Sequence, residues 1–288
     1  MKVKYDCIGC LSRQFVTLAT KLTEDEIKQQ EIISYGLKTL SHQAFDSMAP
    51  EITGKVCAYA SQLTGVLDPY YNEKRDYNDI AFDIIDKMDL KKKVLESDDP
   101  FDTAVRLSIA GNIIDFSVGY DIDESTVEKS VQMSLETPLY GVSTSHFKEA
   151  ISNAKNILFL SDNSGEIVFD QLLVSLLPKR KINYVVKGGP IVNDATMEDA
   201  ISTGMDQMVS VIETGSQIQG TLLDDCHDDF KAYFEKADLI ISKGQANFET
   251  LSHLNKNIYF LLRAKCQCVA DEIGCEKNDF VIKHRDVV

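Results

Sequence analysis

From the N-terminus to about residue 150, apolar positions recur every three to four residues and predict one helix after another. Leu11, Phe15, Leu18 and Leu22 share a helical face, and Thr23 with Glu26 has the form of a capping box opening a second helix that fades near Leu40. Pro50 suits the first turn of a third, with Ile52, Val56, Tyr59 and Leu63 on one side and Gly65 at its end. Helices are further expected over 71–88, from Asp99-Pro100 through Ala104, Leu107 and Ala110 to Ile114, and near 125–135 and 145–154. From Asn156 onward the pattern changes. Short apolar runs at 157–160, 182–186, 239–242 and 258–262 alternate with helical stretches, which is the sequence form of a doubly wound parallel sheet. The expected architecture is a three-layer α/β/α, Rossmann-like domain over 151–288 with an all-helical region, 1–150, packed against it.

Every one of those strand runs ends in polar residues. The first is followed by Ser161-Asp162-Asn163-Ser164-Gly165, the second by a loop ending in Asn193 and Asp194, the third by Lys243-Gly244-Gln245-Ala246-Asn247, and the fourth by Arg263-Ala264-Lys265. Ligands of open α/β sheets bind at this edge, where loops vary freely and helix N-termini direct N–H groups into the crevice. Asp162, Asn163 and Asp194 are the strongest group. Carboxylate and amide oxygens are hard donors suited to Mg²⁺ or Mn²⁺ with open water positions. Helix capping is the bland alternative, since Asp and Asn are favoured caps and turn formers. Lys243 and Lys265, with the helix starts at Ser164-Gly165 and Gly244 to Asn247, have the make-up of a phosphoryl cradle; solvated strand ends are the competing reading. Lys187-Gly188-Gly189-Pro190 matches neither the dinucleotide nor the Walker pattern. In the helical part, Asn112 and Asp115 stand three apart on an apolar helix and need partners there.

Composition narrows the classes. The 288 residues are 44% hydrophobic, enough for a well-buried core, and the net charge of −15 disfavours nucleic-acid and anionic-membrane partners. An anionic substrate therefore needs local lysines. No apolar run approaches bilayer length and the first residues lack a signal-peptide pattern, so a cytoplasmic protein is expected. Seven cysteines, an odd number, fit a reducing compartment better than a disulfide framework. Cys7 and Cys10 have CxxC spacing and, with Cys266 and Cys268, admit two roles beyond simple burial: a four-thiolate metal site or a redox pair. The five histidines form no metal-binding spacing.

The set DNSG, GGPIVND, KGQANFE and LRAKC, with GNIID upstream, resembles the metal-dependent damage-control phosphatases, the former domain of unknown function that includes the acidic-residue-methyltransferase-like proteins. The resemblance runs from about residue 5 to 268 with its motifs in the family's order, and Cys7 and Cys10 look like the CxxC of its stand-alone microbial branch. It implies that Asp162, Asn163 and Asp194 ligate a divalent cation, Mg²⁺, Mn²⁺, Co²⁺ or Ni²⁺. It further implies that Lys243, Lys265 and the loop through Asn247 contact a substrate phosphate, with Asn112 and Asp115 lining the cleft. Relatives with aspartate after the Lys-Gly pair differ here, at Gln245. The implied activity is hydrolysis of small phosphomonoesters such as sugar phosphates or damaged phosphometabolites. Two other classes stay open: a carboxyl methyltransferase, although no Gly-rich adenosyl-binding loop follows the first strand, and a non-enzymatic thiol-metal or redox-sensing module. The sequence leaves the oligomeric state open.

Overall fold

A computed structural model describes residues 1–112 and 124–284. The chain begins with α1 (Tyr5–Leu22), α2 (Glu26–Gln43) and α3 (Ala49–Thr64), which bury Leu11, Phe15, Ile32, Ile52 and Val56 against one another. Helix α1 starts early enough to include Cys7 and Cys10 in its first two turns. The cap of α2 is Asp25 rather than Thr23: Asp25 Oδ1 accepts from Ile27 and Lys28 N–H at 2.9 and 3.3 Å, while Thr23 Oγ1 accepts from Asp25 N–H. A carboxylate next to the first turn, where the helix dipole favours negative charge, displaces the hydroxyl expected there.

Next come α4 (Tyr71–Lys87), α5 (Leu90–Glu96), α6 (Pro100–Gly111), α7 (Glu124–Glu136), β1 (Tyr140–Gly141) and α8 (Thr144–Asn153). The alternating half follows with β2 (Ile157–Leu160), α9 (Glu166–Val174), β3 (Ile182–Val186), α10 (Met197–Thr203), α11 (Met205–Met208) and β4 (Ser210–Glu213). It ends with α12 (Asp228–Lys236), β5 (Leu239–Lys243), α13 (Gln245–Leu251), β6 (Ile258–Arg263), α14 (Gln267–Ile273) and β7 (Phe280–His284). The strands form one sheet in the order β1-β7-β6-β5-β2-β3-β4, parallel except for the β6–β7 pair.

Side-chain alternation along β2 sorts the two cores. Ile157 and Phe159 join a cluster containing Ile84, Leu107, Val131, Phe147 and Phe169, whereas Leu158 and Leu160 join one with Phe230, Phe248 and Val269. The sheet is thus covered on both faces, the α/β/α sandwich expected. Helices α4 to α8 supply much of one covering layer, so this layer is built from both sides of residue 150; the separate helical cluster is α1 to α3. Three strands escape the apolar-run criterion. β1 is two residues long, the partly exposed β4 lies at the edge, and β7 pairs antiparallel with β6.

Strand β2 lies between β3 and β5, so the chain moves to one side of β2 and later returns to the other. Such a switch point leaves a crevice between the loops following the two strands. The loops after β2 and β5 carry Asp162 and Gly244.

Candidate functional site

Asp162 and Asn163 leave the end of β2 just as Asp194 returns from the loop after β3. Ala195 N–H donates to Asp162 O at 2.8 Å, Asn163 and Asp194 form an antiparallel bridge, and Ser164 N–H donates to Asn193 O at 2.9 Å. Backbone pairing therefore holds the three residues at one place. All three are buried. Val192, two residues before Asp194, has φ 46°, a conformation β-branched residues rarely adopt, and packs against the α1–α3 cluster.

The amide of Asn112, at the end of α6, donates through Nδ2 to Asp162 Oδ2 and to Glu166 Oε2, both at 2.8 Å, and Asn163 Nδ2 donates to the same two oxygens at 2.9 and 3.2 Å. A Cβ built on Gly244 would overlap the Asp162 carboxylate, and Gly244 adopts φ 77°, so only glycine fits there. Asp115, expected to line the cleft beside Asn112, lies outside the described residues.

Beneath this group is a second charged layer. Lys243 Nζ, fully buried, donates to Glu166 Oε1 and Asp170 Oδ1 at 2.6 Å each and to Ser108 O at 2.9 Å. Burial pulls its pKa down, but the charges of Asp170 and Glu166 outweigh that and leave it raised. Asp170 is also pushed up, mainly by burial and against the pull of Lys243, and accepts from Tyr184 Oη at 2.8 Å. On the other flank Lys187 Nζ lies 3.4 Å from Asp194 Oδ2 and donates to Gly220 O.

The structure thus reassigns several residues expected to meet a phosphate. The three donors of the Lys243 ammonium are saturated by protein oxygens, so it braces the site from below. Gly165 N–H is taken by Asn78 Oδ1 at 2.6 Å and Gly244 N–H by Leu261 O, so neither they nor Ser164 N–H point into the cleft. Asn247, fully buried, donates to Ser161 O and Lys243 O at 3.0 and 2.8 Å and accepts from Thr221 Oγ1 at 2.8 Å. It ties the β2 and β5 loops together. Lys265 is placed differently. It is half-buried and lines a cavity of about 240 Å³ together with Asp162, Asn163, Gln245, Ala246 and Glu249.

Among the described residues no three His, Cys, Asp or Glu side chains converge as a metal-binding group; the cluster here is two carboxylates and an amide. Its surroundings suit a divalent cation. Asp162, Glu166, Asp170 and Asp194 are buried together with the ammonium groups of Lys187 and Lys243, a formal surplus of two negative charges in a low-dielectric interior. The four cysteines do not form the thiolate metal site entertained above. They are free thiols lining the same cavity.

Glu166 and Asp170 were not anticipated, and Lys187 was expected at the strand end but without a role. The signal for the first two was present: carboxylates at i and i+4 inside Glu166-Ile167-Val168-Phe169-Asp170, a stretch too apolar to face water, require a buried cation.

The profile of the damage-control phosphatase ARMT1-like domain matches residues 3–281. A damage-control phosphatase of Pyrococcus horikoshii is 35% identical, covering 98% of this chain and 97% of that protein, and one of Archaeoglobus fulgidus is 35% identical over 98% and 99%. An uncharacterized protein of Methanocaldococcus jannaschii is 37% identical over 99% and 96%. The crystal structure of a DUF89 family protein from Pyrococcus horikoshii superimposes with a TM-score of 0.87 at 33% identity, covering 99% of each chain. With motifs, fold and full-length similarity in agreement, the chain belongs to the damage-control phosphatase ARMT1-like family.

Proposed function

We propose that this protein hydrolyses small phosphomonoesters, sugar phosphates or damaged phosphometabolites among them, with a divalent cation held by Asp162, Asn163 and Asp194. The observation that carries the reading is the convergence of these three residues at the ends of adjoining strands, with Asp162 and Asn163 on the wall of a cavity that also receives Lys265. A cation bound there supplies Lewis-acid polarisation of a phosphoryl oxygen and activates water for attack. The protein's own groups do the rest. Asn112 and the Asn163 amide hold the Asp162 carboxylate in one orientation, Lys265 offers positive charge to the phosphoryl oxygens, and the first turn of α13, at Gln245 and Ala246, faces the same space.

Asp162 acts as a ligand rather than as a phosphate-accepting nucleophile. Enzymes of the aspartyl-phosphate kind keep an acid-base carboxylate two residues on, where this chain has Ser164, buried and donating to Asn193 O. The test is a generic aryl phosphate and a panel of phosphometabolites, assayed with metal-stripped protein and added Mg²⁺, Mn²⁺, Co²⁺ or Ni²⁺. Phosphate release that needs the cation and stops with chelator is expected; release indifferent to chelator, or none on any substrate, would overturn the reading.

A further inference from the structure

Glu249 lines the same cavity as Asp162, Asn163 and Lys265, and the chemistry above does not use it. It stands in α13 four residues after Gln245, so the two share one face of the helix, and Gln245 Nε2 donates to Glu249 Oε1 at 3.2 Å. Oε2 accepts nothing from the described residues. The charged groups that share the cavity are Asp6, Asp162, Lys265 and the Met1 amine, beside four thiols. The amine donates to the backbone oxygen of Glu249, and among the described residues no cation pairs with its carboxylate. A buried carboxyl served only by a neutral amide holds its proton more tightly than an exposed one, and burial pushes Glu249 up to about 7.

Two observations select this residue for a part in turnover. The cavity has three carboxyl groups: Asp162 belongs to the strand-end trio, Asp6 is exposed on α1, and Glu249 is buried. Its distance from the trio is set by the helix. Gly244 packs against the Asp162 carboxylate, and Glu249 follows five residues later, about 7 Å along α13 at about 1.5 Å per residue. Glu249 is therefore too far along to join the trio as a ligand. It stands where the departing part of an ester would lie when the phosphoryl group is held at Asp162, Asn163 and Lys265.

We propose that Glu249 is the general acid of the reaction, protonating the alcohol oxygen that leaves phosphorus. This inference rests on the phosphomonoester hydrolysis proposed above. A water oxygen bonds to phosphorus while the bond from phosphorus to the ester oxygen breaks, its electron pair staying on the departing oxygen. That oxygen takes the Glu249 proton and leaves as a neutral alcohol. The attacking water releases one proton to solvent and Glu249 regains one from solvent, so each turnover consumes one water and yields one alcohol and one phosphate. Gln245 holds the carboxyl through Oε1 and leaves Oε2 for the ester.

The experiment compares wild type with Glu249→Gln, both loaded with Mn²⁺, on two esters. The 4-nitrophenolate of 4-nitrophenyl phosphate departs without a proton, whereas the alkoxide of glycerol 2-phosphate needs one. The variant should lose about 100-fold in kcat/KM on glycerol 2-phosphate and less than about threefold on 4-nitrophenyl phosphate. Its Mn²⁺ affinity in titration calorimetry should match the wild type. The carboxamide keeps the size of the side chain; Glu249→Ala is the second variant, in which added formate should restore part of the glycerol 2-phosphate hydrolysis and leave that of 4-nitrophenyl phosphate unchanged. Equal losses on the two esters, no loss on either, or weakened Mn²⁺ binding would overturn the assignment, since a structural role would show no dependence on the leaving group. A wild type that hydrolyses both esters while the variant shows no such dependence sinks the acid role alone. A wild type that releases phosphate from neither sinks the proposed function, and the acid role with it.

Discussion

Lys243 and Lys265 stand at the ends of two adjacent parallel strands, and the structure uses them in opposite ways. Lys243 closes β5 with its side chain under the sheet edge, fully buried, bonded to two carboxylates and a carbonyl. Lys265 lies two residues beyond β6 on the wall of the cavity. The floor of the site is a closed network in which each charge has a fixed partner; the wall is where a ligand can be met. Position along a strand brings both lysines to the site, and burial separates the one locked among protein oxygens from the one on the cavity wall.

The comparison breaks most visibly at Lys243. Lys243→Met leaves Glu166 and Asp170 buried without their cation, and a loss of about 3–5 kcal/mol is expected in denaturant melts. A stability change below about 1 kcal/mol would mean that the floor is not the closed network described.

The wall contains a carboxyl that works the other way. Burial pushes Glu249 up to about 7, above its ordinary value of 4.5, although Gln245 Nε2 donates to it at 3.2 Å. The folded state therefore binds the proton more tightly than the unfolded chain. Stability is highest below the ordinary carboxyl pKa and falls as pH rises through about 7, by up to about 3 kcal/mol. Glu249→Gln should remove this part of the slope in melting temperature between pH 4.5 and 7; an unchanged slope would assign it elsewhere.

At Lys265 the expected effect moves from stability to turnover. Lys265→Ala should change stability by less than about 1 kcal/mol and lower kcat/KM about 100-fold, the scale for removing one group that stabilises transition-state charge. A drop in stability like that of Lys243→Met would erase the distinction between floor and wall. The smallest effect belongs to a surface lysine. Lys231 pairs with Asp228 at 3.1 Å in the open, and Lys231→Ala should alter stability by no more than about 0.5 kcal/mol in the same melts.

The α/β/α order was legible because Ile157 to Leu160 and its counterparts are apolar on both faces, as only central strands are. β1, β4 and β7 were not, since their pairing depends on neighbours far away in the chain rather than on a local period. Asp162, Asn163 and Asp194 were expected together from their place after adjacent strands, and backbone pairing does bring them together. The opposite fates of Lys243 and Lys265 were hidden, because the partners of Lys243 come from α6 and α9, and only packing brings Ser108, Glu166 and Asp170 beneath β5.

The central claim is that the strand-end trio holds a divalent cation for hydrolysis. Titration calorimetry with Mn²⁺, run on metal-stripped wild type and on Asp194→Ala with melting curves to show that both are folded, tests it most directly. The account predicts a saturable heat for the wild type, lost in the variant together with cation-dependent phosphate release. Undiminished Mn²⁺ affinity in a folded Asp194→Ala protein would contradict it.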